Sequence, residues 1–222
     1  MRFLCLHGMG TNSQIFETQT AALRFELGDN HTYEFVEGAI AAEVAPELQS
    51  MLSSTDDCFS YLDFDDMDSC NAALDQLDAY LTVEGPFDAV LAFSQGATIA
   101  ATYIVRKLKA NSELEKFISP FKCAVFFSAG GAYDPNLLLS GEIRLLTQDS
   151  DGEMIPIPTV HVWGRNDTAI NAAEVSGICD PGSREVFVHE GGHEIPGARM
   201  NAEVKSIVRA IRRVVYMASV EE

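Results

Sequence analysis

"FDAVLAFSQGATIAATYIVRKLK", Phe87 to Lys109, changes character at its middle. Residues 87–93 are apolar on both faces of a pleat, as a strand reads when helices cover both sides of a parallel sheet. After Gly96 the run begins with small residues that allow close approach to a sheet. It ends in Arg106, Lys107 and Lys109, cations suited to a helix C-terminus. Between the two lies Ser94-Gln95-Gly96. Strand, Ser-x-Gly, helix is the order a nucleophile elbow requires: the serine sits on a sharp turn and the glycine two positions on avoids a clash. The helix N-terminus beyond it favours developing negative charge. The usual pattern has a glycine where Ala92 stands, and a methyl is the smallest departure. The competing reading is a polar stop between a strand and a helix.

Further apolar runs occur at 2–6, 33–37, 122–128, 159–163 and 184–188. Helical patterns separate several of them. Ala73, Leu74, Leu77, Tyr80 and Leu81 recur at 3.6-residue spacing, and Val204, Ile207, Val208, Ile211, Val214 and Val215 share a face of a helix over about 201–217. Alternating β and α elements without a repeat predict one doubly wound α/β domain over residues 1–222, with a mostly parallel sheet and helices on both faces.

A serine nucleophile on such a sheet needs an acid after a later strand and a histidine after the next, in the order Ser, Asp, His. "VHVWGRNDT" puts Asp167 just past the run at 159–163, and "VFVHEGGHEIP" puts His193 just past 184–188. Asp149, Asp151 and Asp180 are the rival acids. His189 is the alternative base, but the Gly191-Gly192 approach favours His193. His161 reads as a packing residue within its strand. Of two oxyanion-hole donors, one falls to the backbone of Gln95, the residue after the serine. The other is expected from the glycine loop after the first strand, "LHGMGTN", with Met9 as donor and Gly10 in reserve. That loop lacks the G-x-G-x-x-G spacing and the lysine of a nucleotide site; His7 reads as its brace.

Composition narrows the partners. A formal charge of −18 disfavours nucleic acid and anionic membrane surfaces, which need clustered Lys and Arg. No run approaches the roughly 18 apolar residues of a membrane span, and no secretory signal is legible. The five cysteines show no metal-binding spacing and read as reduced thiols, so the expectation is a cytoplasmic protein needing no metal or organic cofactor. Two segments look unlike scaffold. Residues 53–68 interleave aspartates with Phe59, Tyr61, Leu62 and Phe64, reading either as a solvated loop capping the next helix or as the rim of a cleft. Residues 134–158 read as a crossover with linker or as a lid or cap.

With "LCLHGMGTNSQIF", "GPFDAVLAFSQGA", "VWGRND" and "HEGGHEIP" in place, the sequence resembles the FSH-type serine hydrolases, α/β-hydrolases common in fungi. The resemblance runs from Arg2 to the last helix and implies a Ser94, Asp167, His193 triad. The "HGMGTNS" opening is similar to the branch found beside fungal polyketide synthases, whose thioesterases release a finished acyl chain. That branch implies a small-molecule acyl ester or thioester as substrate and an acyl carrier protein as partner. Such a carrier is acidic, so docking on a chain of −18 requires a local basic patch; Arg199, Lys205, Arg209, Arg212 and Arg213 are the candidates. The alternatives are a general intracellular carboxylesterase and a hydrolase-fold protein that only binds.

Overall fold

The computed structural model describes residues 1–49, 57–64, 66–112, 119–168 and 173–220. The strands are β1 (Arg2–Leu6), β2 (Thr32–Val36), β3 (Ile40–Ala42), β4 (Cys58–Ser60), β5 (Ala89–Phe93), β6 (Cys123–Phe127), β7 (Thr159–Gly164) and β8 (Arg184–His189). The helices are α1 (Ser13–Leu27), α2 (Met67–Glu84), α3 (Gln95–Ser112), α4 (Pro135–Leu139), α5 (Gln148–Asp151), α6 (Ala173–Gly177) and α7 (Asn201–Val220). Six strands form one sheet in the order β2-β1-β5-β6-β7-β8, with every neighbouring pair parallel. All strand C-termini therefore face one end of the sheet, where open α/β sheets gather their ligands.

The alternation along each central strand shows why the runs looked apolar throughout. Phe3, Cys5, Leu91, Phe93, Val125 and Phe127 enter the core under α1 and α7. Their neighbours Leu4, Leu6, Val90, Ala92, Ala124 and Phe126 enter the opposite core under α2 and α3. On α7, Val204, Ile207, Val208, Ile211 and Val214 are buried. Each such side chain contributes up to about 1.5–3 kcal/mol, an upper bound because the unfolded chain already hides some surface. All five cysteines are buried thiols, and burial pushes Cys123 and Cys179 up to about 12.

Two short strands were not legible as strands. β3 and β4 pair antiparallel as a separate ribbon. Phe59 ties that ribbon to the loop after β1, accepting from the Gly10 N–H at 3.0 Å and donating to the Thr11 carbonyl at 2.7 Å. The expectation of a plain solvated loop over 53–68 is thus corrected at 58–62, where Cys58, Ser60, Tyr61 and Leu62 are buried. Its capping half stands, since Asp66 accepts from the Asp68 N–H at the start of α2. Residues 53–56 and 65 lie outside the described residues.

Between 134 and 158 the chain forms α4 and α5. Arg144 bonds both Asp134 and Asp151, and the Asn71 side chain donates to the Leu138 carbonyl. Burial would raise the Asp134 carboxyl, but Arg144, the Asn136 N–H and Lys109 outweigh it and hold the group at about 2. Among the described residues no helix is long and apolar enough to cross a membrane, and no three His, Cys, Asp or Glu are grouped to hold a metal.

Candidate active site

Ser94 follows β5 directly and has a φ of 52°. A non-glycine residue in this left-handed region costs roughly 1–2 kcal/mol, so the surroundings must hold it. They do so from both sides. The Ser94 N–H donates to the Phe127 carbonyl at 2.9 Å, and the Gly96 N–H donates to the His7 carbonyl at 3.1 Å. Gly96 is needed for that approach, because a Cβ there would stand within 2.6 Å of the Leu6 and His7 carbonyl oxygens. Ala92 disturbs nothing: it is fully buried in β5, paired with Leu6 and Phe126, and its methyl joins the core under α2 and α3.

The three residues expected from chain order meet. His193 Nε2 lies 2.9 Å from Ser94 Oγ, and His193 Nδ1 lies 2.9 Å from Asp167 Oδ2. With a neutral imidazole this pattern has Ser94 donating to Nε2 and Nδ1–H donating to the carboxylate. The Asp167 side chain is 1% exposed, whereas that of His193 is 17% exposed. The acid is therefore screened from water while the base can reach a ligand. The Phe93 ring packs against the imidazole at 5.0 Å between centroids.

The loops carrying acid and base are laced together. Arg165 N–H donates to the His189 carbonyl at 2.7 Å, Asn166 N–H to the Gly191 carbonyl at 3.0 Å, and Asn166 Nδ2 to the Glu190 carbonyl at 2.6 Å. A Cβ on Gly164 would run into the Gly191 and Gly192 carbonyls, so only glycine lets the loops close. Sequence reasoning missed Gly164; its signal was a glycine ending a strand three residues before the acid.

The rival residues have other partners. His189 is buried, its Nδ1 accepts from the Gly191 N–H at 3.1 Å, and burial lowers its basicity. Asp180 accepts from Gly182 N–H and Ser183 Oγ, and Asp151 is bound to Arg144. His161 Nε2 lies 2.9 Å from Thr159 Oγ1, and burial takes its pKa down to about 3, as suits a packing residue. His7 braces the glycine loop: its Nδ1 lies 2.7 Å from the Gly8 carbonyl and its Nε2 accepts from the Gly38 N–H at 3.0 Å.

Of the oxyanion candidates, Gly10 is removed because its N–H is committed to Phe59. Gln95 opens α3, where an N–H has no intrahelical acceptor. Among the described residues no carbonyl takes the Met9 N–H. The Gln95 side chain has a task the sequence did not reveal. Its Oε1 accepts from the Tyr61 N–H at 2.7 Å and its Nε2 donates to the Leu62 carbonyl at 2.9 Å. The residue after the nucleophile thus grips the segment that follows β4.

Two hollows lie nearby. One, of about 330 Å³, includes Met9, Ile40, Leu62 and Phe64 in its lining. The other, of about 180 Å³, lies between α2 and the sheet and shares Tyr61 with the site's surroundings; neither lining includes Ser94, Gln95, Asp167 or His193. At the opposite end of the sheet, Arg212 donates to the Glu26 carbonyl and Arg213 pairs with Glu185 near the start of β8. Those two cations therefore sit away from Ser94.

A family model described as "Serine hydrolase (FSH1)" matches residues 1–204. The chain belongs to the FSH1 serine hydrolase family. Esterase FPY3 of Fusarium mangiferae is 37% identical over 98% of both chains. Hydrolase phiM of a fungal species is 30% identical over 88% of this chain and 86% of the relative. Among solved structures, esterase PE8 is similar with a TM-score of 0.63 at 17% identity, over 96% of this chain and 92% of that one. That likeness shows the α/β-hydrolase fold. The FSH1 family match makes the protein a serine hydrolase.

Proposed function

We propose that Ser94 attacks the carbonyl carbon of an acyl ester or thioester and carries the acyl group as a covalent intermediate. His193 takes the Ser94 proton and gives it to the departing alcohol or thiol. It then takes a proton from water, which attacks the acyl-serine; the acid leaves and the proton returns to Ser94. Asp167 holds Nδ1–H and stabilises the imidazolium, while the Gln95 and Met9 N–H groups receive the oxyanion. The observation that carries this reading is the pair of 2.9 Å contacts on the two nitrogens of one imidazole, to Ser94 and Asp167.

For the substrate, we favour a polyketide-type acyl group delivered as a small-molecule ester or thioester, with one catalytic domain doing the work. Resemblance to the branch beside polyketide synthases supports the acyl type, and the printed name of esterase FPY3 supports ester cleavage. Delivery on an acidic carrier protein has less support, because Arg212 and Arg213 are engaged away from the serine. A general carboxylesterase for short acyl esters is the second reading, favoured by the modest 330 Å³ hollow beside Met9. Matched oxygen esters and thioesters of one acyl group, free and carrier-bound, separate these. Turnover of the free species with no gain on the carrier supports small-molecule hydrolysis; a large gain on the carrier overturns it.

A further inference from the structure

One carbonyl in the loop after β1 receives two buried donors. His7 Nδ1 lies 2.7 Å from the Gly8 carbonyl oxygen, and Thr11 Oγ1 donates to the same oxygen at 2.7 Å. Nδ1 keeps its hydrogen whether Nε2 accepts from the Gly38 N–H at 3.0 Å or is protonated toward Glu37 Oε1 at 2.9 Å. The imidazole is held firmly in place. It is fully buried and packs on the Tyr61 ring at 4.8 Å between centroids. The backbone of His7 is fixed as well, its N–H donating to the Tyr61 hydroxyl at 3.0 Å and its carbonyl accepting from the Gly96 N–H at 3.1 Å. Thr11 is also buried, and its carbonyl accepts from the Phe59 N–H at 2.7 Å.

The Gly8 backbone lies against the nucleophile turn: a Cβ on Gly8 would stand 3.4 Å from Ser94 Cβ and 2.9 Å from Phe93 Cδ1. The Gly8–Met9 peptide is planar and trans, so its carbonyl and its N–H point in opposite directions. Fixing the Gly8 oxygen therefore fixes the Met9 N–H, the second proposed oxyanion donor. We propose that His7 and Thr11 are positioning residues of the oxyanion hole: their two donors on the Gly8 carbonyl hold the Met9 N–H toward the oxygen that gains charge on the substrate. This proposal rests on the roles proposed for Ser94 and Met9.

Local chain chemistry alone would leave this peptide free to turn. Gly8 has no side chain to restrict its backbone, and the Met9 side chain is 48% exposed. Beyond Met9 the next peptide is anchored, because the Gly10 N–H donates to the Phe59 carbonyl at 3.0 Å. Rotation of the Gly8–Met9 plane would turn its carbonyl toward the forming oxyanion. An acceptor would then stand where a donor is required, and loss of one such donor costs about 10²–10³ in kcat. His7 and Thr11 oppose the rotation, since it would strip two buried donors of their acceptor.

The test reads kcat and KM for a p-nitrophenyl ester in Thr11→Val, Thr11→Ser and His7→Leu, each beside a thermal melt. Thr11→Val should lower kcat about tenfold with KM little changed, the sign of an interaction made only in the transition state. Thr11→Ser keeps the hydroxyl and should recover most of that loss. His7→Leu should lose about 10²-fold; if it does not fold, the threonine pair decides. A companion protein carries the α-hydroxy analogue of methionine at position 9, so that an ester replaces the Gly8–Met9 amide and the Met9 N–H is gone. It should lose about 10²–10³ in kcat, and Thr11→Val added to it should cost nothing more. A wild-type kcat in Thr11→Val beside an impaired ester protein would overturn the positioning role, as would an undiminished Thr11→Val loss within the ester protein. A wild-type kcat in the ester protein would instead remove Met9 as donor. Failure of a small fluorophosphonate to label Ser94 in the wild-type protein would remove the role of the serine.

Discussion

The Asn166 N–H donates to the Gly191 carbonyl at 3.0 Å, and this bond joins the loop of the acid to the loop of the base. Asp167 follows Asn166, and His193 comes two residues after Gly191. The imidazole's partner is therefore held by the same contact that sets the imidazole's own position. Gly164 makes the contact feasible, since any side chain there would push the Gly191 and Gly192 carbonyls away.

Gly164→Ala should therefore damage turnover more than stability. A shift of about 1 Å in the reacting groups can cost 10²-fold in rate, so kcat is expected to fall by about that factor. Steady-state kinetics beside a circular dichroism melt checks it. A variant with wild-type kcat would show that the loops close by another route.

Gln95 links the nucleophile turn to the segment after β4 through its side chain. Gln95→Ala leaves the Tyr61 N–H and Leu62 carbonyl unpartnered in a buried place, a cost of about 1–3 kcal/mol per group. Gln95→Glu retains the acceptor for Tyr61 but sets a carboxylate against the Leu62 carbonyl. Both variants should lower the melting temperature and also lower kcat/KM, because the Gln95 N–H is a proposed oxyanion donor. A melting change with an unaltered kcat/KM would confine Gln95 to a structural part.

Acid should destabilise the protein before its carboxylates titrate. Burial depresses His161 to about 3 and lowers His189 and His7 from their ordinary value near 6.5. Below about 6.5 the unfolded chain binds protons that these folded histidines refuse, so stability is full above that pH and falls beneath it. The slope approaches 1.4 kcal/mol per pH unit for each such group. Urea midpoints between pH 7 and 4.5 should decline, and His161→Leu should make the decline shallower. A flat profile would contradict the buried, neutral state of these rings.

The inner strands β1, β5, β6 and β7 were legible because nearly all their positions are buried, which leaves no polar alternation to confuse the reading, and the half-buried edge strands β2 and β8 were legible from their aromatic and β-branched residues. The triad was legible because strand order constrains where acid and base can arise, and Ala92 proved harmless because its methyl faces the core, away from the turn at Ser94. β3 and β4 were not, since each is three residues long and their anchoring depends on Phe59 meeting Gly10 and Thr11 across the chain. The same distance hid the Gln95 grip on Tyr61 and Leu62. A glutamine after a serine announces a backbone donor in sequence, but its side-chain partners exist only after folding.

The most direct measurement is covalent labelling by a small fluorophosphonate, read by intact mass and peptide mapping. The account expects one adduct, on Ser94, absent in Ser94→Ala and formed at least about 10²-fold more slowly in His193→Ala and in Asp167→Asn. Folded protein that takes no adduct, takes it elsewhere, or labels as fast without His193 would contradict it.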